Sequence, residues 1–322
     1  MKNSLSKIVV VTSSGLQKQM LDAIDVDHNT ATVIAVPDDK GEIMAAIPEA
    51  DALINCPRHL FDSALLSQAR QLKWIHCGGA GVEEFLIPEL IDSDIEFTNG
   101  RIIQGPEVSD HAIALLLCLT RRLNLTLTNR EIPNSKRPIE LRGKTAAVFG
   151  LGGIGLLVAE KLKAFGVTVT GVDVEYQPMT FAVDEFVTLS EFRREPRRFE
   201  IIVCAAPTTK LTHKFFDREF FAKINPVTYF INVSRGDLVD LDALTEANQD
   251  NRFGGIGLDV TDPEPLPSDH SLRKMTNVII SPHIAGLSDH NRARGLTLLK
   301  QNIKRFLDAQ QLINPVDKVR GY

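Results

Sequence analysis

The feature that most constrains this chain is a glycine-rich turn, Gly150-Leu151-Gly152-Gly153-Ile154-Gly155, near the middle of its 322 residues. An apolar, β-prone run, Thr145–Phe149, precedes the turn, and Leu156–Phe165 follows it with helical periodicity. In such a strand–turn–helix unit the first glycine permits a tight turn, the second lets the backbone approach a pyrophosphate, and the third lets the helix pack closely on the strand. The pattern predicts a phosphate-binding turn, although glycine turns also end strands for purely structural reasons.

An acidic residue downstream of the turn indicates which phosphate-containing ligand the turn binds. Val167–Val172 has the composition of the next strand, and Asp173 follows it directly. A carboxylate about twenty residues after the glycine turn accepts hydrogen bonds from ribose hydroxyls in dinucleotide-binding domains. Asp173 would repel a 2′-phosphate, and the following Val174-Glu175-Tyr176 adds no basic residue to bind one. The sequence therefore predicts that the cofactor is NAD(H) rather than NADP(H).

Strand-like and helix-like segments alternate on both sides of the turn. Strands are predicted at Lys7–Thr12, Thr32–Val36, Ala52–Cys56, Lys73–Cys77, Glu96–Thr98, Thr145–Phe149, Val167–Val172, Ile201–Ala205, Tyr229–Asn232, Gly255–Leu258 and Val278–Ile280. Helices are predicted at Gln17–Ile24, Gly41–Ile47, Phe61–Ala69, Leu156–Phe165 and over residues 107–128 and 288–307. Alternation of this kind predicts mostly parallel sheets with helices on both faces.

The chain length fits two domains of ordinary size. The two long helical segments would carry the chain out of a first domain and back into it, and a polar stretch, Asn129–Arg142, leads to the glycine turn. We therefore predict one domain from residues 1–100 and 288–322, with residues 101–287 inserted as the other. Two simply consecutive domains are the alternative. A cleft between two such domains is the natural place for a substrate beside a cofactor.

Composition excludes several classes of function. The net charge is −5, and the sequence has no basic cluster interleaved with aromatic residues, so it lacks the positive charge pattern typical of nucleic-acid-binding proteins. The longest apolar run, Ala112–Leu119, is far too short for a membrane span, and the N-terminal run Ile8–Val11 has the length of a strand rather than a signal core. Four scattered cysteines without metal-ligand spacing predict no metal site and a reducing, cytoplasmic environment.

Three loop segments that follow predicted strands each carry ionisable residues. They are Asn232–Asp237 with Arg235, Leu258–Pro265 with Asp259 and Glu264, and Ser281–Gly286 with His283. Ligands of open parallel sheets bind at the carboxyl ends of the strands, where the guanidinium of Arg235 would match a carboxylate. Each segment alone also fits a structural role: a salt-bridging surface arginine, an acidic loop and a histidine at a helix start.

Together, these residues meet the needs of 2-keto acid reduction. Hydride transfer from a nicotinamide leaves negative charge on the carbonyl oxygen, so a nearby proton donor lowers the barrier. His283 can donate that proton because the charge of histidine changes near neutral pH. Glu264 would orient the ring and stabilise its imidazolium form. Arg235 would hold the substrate carboxylate and polarise the carbonyl.

The chain resembles the D-isomer-specific 2-hydroxyacid dehydrogenase family nearly end to end. The resemblance is carried by residues 74–82, by the Gly150–Gly155 turn, by residues 232–240, by Asp259 with Glu264, and by residues 282–286. It implies an α/β fold of two doubly wound parallel-sheet domains, with a Rossmann NAD-binding domain inserted into a flavodoxin-like substrate domain. It also implies NAD(H)-dependent interconversion of a small D-2-hydroxy acid and its 2-keto acid, and a homodimer joined through the nucleotide domain.

The resemblance also implies roles for individual residues. Arg235 would bind substrate, Glu264 would pair with His283, and His283 would be the acid/base. Backbone amides of Ala80 and Gly81 would bind the substrate carboxylate. Ser234 and Asp259 would contact the nicotinamide, and Ala206, Pro207 and Thr208 would lie along the adenosine. The expected cofactor contacts are completed by Gly150, Gly152, Gly153, Ile154, Gly155, Asp173, Val233, Arg235, His283 and Gly286.

The sequence does not determine which 2-keto acid is the substrate. Arg58 follows a first-domain strand, where it either meets a second anionic group such as a phosphate or is simply solvated. Glyoxylate, hydroxypyruvate and other small 2-keto acids all fit. Two other functions share the fold. An NADH-sensing regulatory binding protein can retain the three catalytic residues, whereas a Rossmann dehydrogenase acting on amino acids would need other substrate-binding residues.

Overall fold

The computed structural model of the protein describes residues 5–27, 29–128, 130, 137–176 and 180–322. Over these residues the chain divides into two compact units. Unit 1 comprises residues 1–103 and 288–322, and unit 2 comprises residues 104–287. The stretch Asn129–Arg142, expected to lead to the glycine turn, lies partly outside the described residues.

Unit 1 begins with alternating strands and helices. Its N-terminal part contains β1 (Ser6–Thr12), α1 (Gln17–Ile24), β2 (Ala31–Pro37), α2 (Lys40–Ala46), β3 (Ala52–Ile54), α3 (Ser63–Gln68), β4 (Trp74–Cys77), α4 (Pro88–Ile91) and β5 (Glu96–Asn99). Within the described part of the chain these strands form one parallel sheet in the order β2-β1-β3-β4-β5. This order is that of the flavodoxin-like doubly wound fold.

Unit 2 contains the second sheet. Its elements are α5 (Gly105–Thr120), α6 (Leu123–Thr126), β6 (Thr145–Phe149), α7 (Gly153–Ala164), β7 (Thr168–Asp173), β8 (Glu185–Thr188), α8 (Leu189–Arg194), β9 (Ile201–Cys204), α9 (Arg218–Lys223), β10 (Thr228–Asn232), α10 (Leu241–Gln249), β11 (Phe253–Leu258) and β12 (Val278–Ile280). The described strands are parallel in the order β8-β7-β6-β9-β10-β11-β12. This is the Rossmann strand order with one strand added. From β6 the chain adds strands first on one side of the sheet (β7, β8) and then on the other (β9 to β12), and sheets of this kind bind ligands at that switch between β6 and β9. The predicted fold class is confirmed.

The sheet of unit 1 has an apolar core on each face. Val9 and Val11 of β1 belong to one core, whereas Ile8 and Val10 belong to the other. The last helix, α11 (Asn291–Leu307), packs on the second face through Leu299 and Ile303. The chain therefore returns to unit 1 after unit 2. None of the helices in the described ranges is long and apolar enough to cross a membrane.

The single long helix predicted over residues 107–128 is wrong. Two helices, α5 and α6, occupy this segment, and they meet at Arg122. Arg122 adopts a left-handed backbone conformation with φ +60°, which ends the regular helix. Its buried guanidinium donates to the carbonyl of Gly254 (3.1 Å), so a tertiary contact accompanies the break.

A buried histidine in unit 1 makes stability depend on pH. His76 is 2% exposed, its Nδ1 lies 2.8 Å from Thr98 Oγ1, and burial lowers its pKa from 6.5 to about 4. Between pH 6.5 and about pH 4, His76 is therefore protonated in the unfolded chain but neutral in the folded chain. The free energy of unfolding should fall as pH falls through this window, by about 3 kcal/mol in total, since one pKa unit corresponds to about 1.4 kcal/mol.

Urea unfolding of the whole chain at a series of pH values tests this expectation. The variant His76→Gln lacks the titration, so its stability should fall less steeply than that of the wild type over the same window. Parallel pH profiles for the two proteins would contradict the assignment.

Candidate active site

The glycine turn joins β6 to α7 at the reversal point of the unit 2 sheet. Gly150 has φ +95°, and its amide donates to the carbonyl of Val172 (2.8 Å). A Cβ at Gly155 would lie 1.8 Å from Gly150 O, so only glycine fits there, whereas a Cβ at Gly152 would meet no atom within 4 Å. The turn is thus packed tightly at its ends and open at Gly152, which suits a backbone approached by a pyrophosphate.

The helix after the turn begins earlier than predicted. It starts at Gly153 rather than at Leu156, and Gly152 stands at its N-cap without a side-chain cap. The amides of Gly153, Ile154 and Gly155 therefore belong to the first helical turn, where N–H groups lack partners within the helix. With the favourable helix dipole, these groups suit a phosphate.

Asp173 ends β7 beside the turn. Its Oδ2 accepts a hydrogen bond from the amide of Leu151 within the turn (2.7 Å), and its Oδ1 accepts one from Val174 N (2.7 Å). A carboxylate has about four acceptor positions, so each oxygen can still accept from a ribose hydroxyl. The contact with Leu151 fixes the carboxylate relative to the turn.

The loops after β9 and β10 are joined by hydrogen bonds. Ser234 Oγ donates to the carbonyl of Ala206, and Val233 N donates to Cys204 O (3.3 Å). Thr208 follows Pro207 in the first loop, and its hydroxyl donates to the carboxylate of Asp237 in the second. The residues predicted along the adenosine and those predicted near the nicotinamide thus form one continuous edge of the sheet.

The backbone around Arg235 is fixed by its neighbours. Asn232 accepts from Ser234 N (3.1 Å) and donates to the carbonyl of Arg235 (2.8 Å). A Cβ at Gly236 would lie 2.1 Å from the carbonyl carbon of Thr261, so the loops after β10 and β11 are in direct contact. The Arg235 guanidinium donates through Nη1 to Ser234 O (2.8 Å).

Glu264 and His283 form the closest acid–base pair at this edge. Glu264 Oε1 lies 2.6 Å from His283 Nδ1, although the two residues are nineteen apart in sequence. An ionised carboxylate only accepts, so Nδ1 carries the hydrogen of this bond and Nε2 is left to hold or release a proton. His283 has φ +54°, a conformation uncommon outside glycine and asparagine that persists where the surroundings impose it.

The buried carboxylate of Asp259 holds the loop that carries His283. Asp259 is 2% exposed and accepts from Ser281 Oγ (2.6 Å), Ile284 N (3.0 Å) and Ala285 N (2.9 Å). Its backbone carbonyl accepts from His283 N (2.9 Å). Asp259 was predicted only as a cofactor contact, and the structure shows it also as the anchor of this loop.

Helix α5 and its N-cap residue Gln104 contact both ends of the same loop. Gln104 Nε2 donates to the carbonyl of Gly286 (3.3 Å), and His111 Nε2 lies 2.8 Å from Ser281 Oγ. Sequence reasoning did not single out His111, which lies 170 residues before Ser281. His111 follows other polar residues, Ser109 and Asp110, at the start of α5, so the sequence carried no signal that set it apart.

The remaining predicted residues lie in unit 1. The loop after β4 contains Ala80, whose carbonyl accepts from Asn99 Nδ2 (2.7 Å), and Gly81, whose carbonyl accepts from Arg58 Nη2 (3.3 Å). Arg58 also lies 3.5 Å from Glu84. In the part of the chain that the structure describes, no group of three or more His, Cys, Asp or Glu side chains is placed to hold a metal ion.

Comparison with known proteins identifies the class of the chain. Residues 113–285 match the family model described as D-isomer specific 2-hydroxyacid dehydrogenase, NAD binding domain. The chain belongs to the D-isomer specific 2-hydroxyacid dehydrogenase family. It is an oxidoreductase of the D-2-hydroxyacid dehydrogenase class with a nicotinamide dinucleotide cofactor.

Two proteins named as reductases match this chain over most of their own length. The chain is 28% identical over 302 residues to the glyoxylate reductase of Thermofilum pendens, covering 88% of this chain and 89% of that protein. It is 31% identical over 256 residues to the human glyoxylate reductase/hydroxypyruvate reductase, covering 76% of each. The crystal structure of a family protein from Aeromonas salmonicida superposes with a TM-score of 0.80 at 26% identity, covering 98% of this chain and all of that one.

Proposed function

We propose that the protein interconverts a small D-2-hydroxy acid and its 2-keto acid with NAD(H). The observation that carries the proposal is the 2.6 Å contact between Glu264 and His283 at the sheet edge that also bears the glycine turn. Residues 101–287 would form the NAD-binding domain, and residues 1–100 with 288–322 the substrate-binding domain. Bound NADH would supply the hydride.

The proposed cofactor contacts follow from the chemistry of the turn. Amides at the start of α7 would bind the pyrophosphate, and Gly152 leaves room for it. Asp173 would accept from the ribose hydroxyls, with Ala206, Pro207 and Thr208 along the adenosine. Around the nicotinamide we propose Val233, Ser234, Arg235, Asp259, His283 and Gly286.

The proposed chemistry assigns one task to each side chain. His283 would deliver a proton from Nε2 to the carbonyl oxygen as negative charge develops there. Glu264 would keep the ring in the required tautomer through Nδ1 and stabilise the imidazolium. Arg235 would bind the substrate carboxylate through its planar fork of donors. In unit 1, the backbone amides of Ala80 and Gly81 are proposed as substrate-binding groups.

The relatives indicate which substrates to test first. Both are named for glyoxylate reduction, and the human protein also for hydroxypyruvate. No observation favours the NADH-sensing alternative. The homodimeric state and the cytoplasmic location stay predictions, to be tested by light scattering and by cell fractionation.

Oxidation of NADH with a panel of 2-keto acids tests the proposed function. The panel should contain glyoxylate, hydroxypyruvate, pyruvate and a phosphorylated hydroxypyruvate, the last to test whether Arg58 meets a second anion. Rapid turnover of at least one acid, with formation of the D-product, supports the proposal. Tight NADH binding without turnover of any acid would contradict it and favour the regulatory protein.

The cofactor preference should depend on the charge of Asp173. The variant Asp173→Asn keeps an oxygen that can accept from Leu151 N, but it removes the negative charge. We expect kcat/KM for NADH to fall roughly 10- to 100-fold, since a hydrogen bond to a charged group contributes about 1.5–3 kcal/mol. The value for NADPH should rise because the repulsion of the 2′-phosphate is lost. Steady-state kinetics with both cofactors measures the change.

The variant Asp184→Asn is a matched control. Asp184 also accepts a backbone hydrogen bond in unit 2, from Val169 N (2.9 Å), and pairs with Lys163. Its substitution should leave the ratio of the two kcat/KM values unchanged. An unchanged ratio in Asp173→Asn would show that another residue selects the cofactor.

A further inference from the structure

A chain of three side chains links α5 to the loop that carries His283. His111 Nε2 lies 2.8 Å from Ser281 Oγ, and Ser281 Oγ lies 2.6 Å from Asp259 Oδ1. Direct approach of His111 Nε2 to the same Asp259 oxygen is longer, at 3.5 Å. Ser281 therefore stands between the two ionisable groups.

The directions of these hydrogen bonds follow from the donor inventory. An ionised carboxylate only accepts, so the single hydroxyl hydrogen of Ser281 is directed to Asp259. Ser281 Oγ is then left as an acceptor towards His111, whose Nε2 must carry a hydrogen. The order is His111 Nε2–H to Ser281 Oγ–H to the Asp259 carboxylate.

We call this row of hydrogen bonds from His111 through Ser281 to Asp259 the relay. It ends on Asp259, the residue that fixes the backbone of His283. The carboxylate of Asp259 accepts hydrogen bonds from Ile284 N and Ala285 N, and its backbone carbonyl accepts one from His283 N. Loss of one donor leaves a buried carboxylate less well satisfied, which is unfavourable unless the loop shifts to compensate. Such a shift would move the imidazole, because its backbone is attached to the same residue.

We propose that His111 and Ser281 are positioning residues for the proton transfer of His283. The proposal rests on the proposed function of His283. Among the described residues, the hydrogen bonds of these two side chains lead to Asp259 and not to the Glu264–His283 pair, so their effect would act through Asp259 and the backbone of the loop. A displacement of about 1 Å at a reacting group is enough to reduce a rate about 100-fold.

Two pairs of variants test the relay by kinetics. His111→Leu and Ser281→Ala remove a donor, whereas His111→Gln places an amide N–H near the position of Nε2 and Ser281→Thr keeps the hydroxyl. We expect kcat for the best keto acid to fall roughly 10- to 100-fold in the first pair and to stay within about threefold in the second. KM for the keto acid and Kd for NADH should change little in all four.

The control and the contrary outcomes are defined by the same measurements. Ser67→Ala removes a hydroxyl that donates within α3, to Ala64 O, and should leave kcat unchanged. Wild-type kcat in His111→Leu would overturn the proposal. Equal losses in His111→Leu and His111→Gln would overturn it too, because the amide donor would then have restored nothing.

Nitrogen-15 NMR of histidine-labelled protein separates this proposal from the proposed function. The His111 signals, assigned by their absence in His111→Gln, should show a hydrogen on Nε2. A hydrogen on Nδ1 alone would overturn the relay whether or not the enzyme is active. If the wild type reduced no keto acid while Nε2 of His111 carried the hydrogen, the proposed function would fail and the catalytic role of the relay with it, but the hydrogen-bond order would stand.

Discussion

Replacing His283 by asparagine is expected to lower kcat for keto-acid reduction by roughly 10²–10⁴-fold, the usual contribution of a positioned proton donor. Asparagine is the most informative replacement because His283 has φ +54°, and asparagine tolerates this conformation better than most residues. The amide has no proton to transfer to the carbonyl oxygen. The loss should therefore appear in kcat rather than in folding.

Binding measurements separate this chemical loss from damage to the site. NADH affinity, followed by fluorescence, should stay within about fivefold of the wild type, a difference of about 1 kcal/mol. Thermal unfolding should be nearly unchanged. A variant that retains full reductase activity would show that another group delivers the proton.

Glu264→Gln is the matched test of the ion pair. Glutamine keeps the shape of the side chain and can still contact His283 Nδ1, but it loses the charge that stabilises the imidazolium. We expect a smaller loss of kcat than in His283→Asn. The double variant should be no slower than His283→Asn alone, because the carboxylate acts only through the ring.

The described strands of both sheets could be predicted closely, with the exception of the edge strand β8. Strand β9 begins where predicted and β10 within one residue, because buried parallel strands are short, continuous apolar runs. Strand β8, Glu185–Thr188, was missed since this edge strand is only partly buried and carries an acid. A readable signal did mark its end: Thr188 and Glu191 form a capping box at the start of α8.

Helix boundaries depended on contacts that the local pattern does not contain. Glycine has low helix propensity, so α7 was expected to begin after Gly155, yet packing against β6 places Gly153–Gly155 in the helix. The break at Arg122 coincides with a bond to Gly254, a residue 132 positions away. In both places tertiary contacts override local preference.

Proximity at the sheet edge was predictable only for loops of neighbouring strands. Glu264 follows β11 and His283 follows β12, so the rule that ligands bind at the carboxyl ends of parallel strands brings them together. His111 reaches Ser281 from a helix packed on one face of the sheet. No strand rule relates those two positions, so their contact could be found only in the folded structure.

Gly155→Ala should be the most damaging single substitution in the glycine turn. Its Cβ would lie 1.8 Å from Gly150 O, a backbone atom that cannot move without opening the turn. We expect a loss of more than about 4 kcal/mol in the free energy of unfolding, or failure to fold. Urea unfolding measures the change. Near wild-type stability would mean that α7 can move away from β6 at little cost.

Two further glycine variants distinguish damage to the fold from damage to the cofactor site. At Gly152 a Cβ meets no atom of the protein, so Gly152→Ala should fold normally; the methyl group would occupy space proposed for the pyrophosphate and weaken NADH binding roughly 10- to 100-fold, equivalent to about 1–3 kcal/mol. Gly295→Ala in α11 also meets open space and should raise stability by about 0.5–1 kcal/mol without affecting NADH. If Gly152→Ala bound NADH as the wild type does, the pyrophosphate would have to lie elsewhere. The expected outcome is that Gly152→Ala keeps full stability but binds NADH more weakly, whereas Gly155→Ala loses stability. Gly152 would then be the glycine that makes room for the ligand, and Gly155 the glycine that lets α7 pack against the turn.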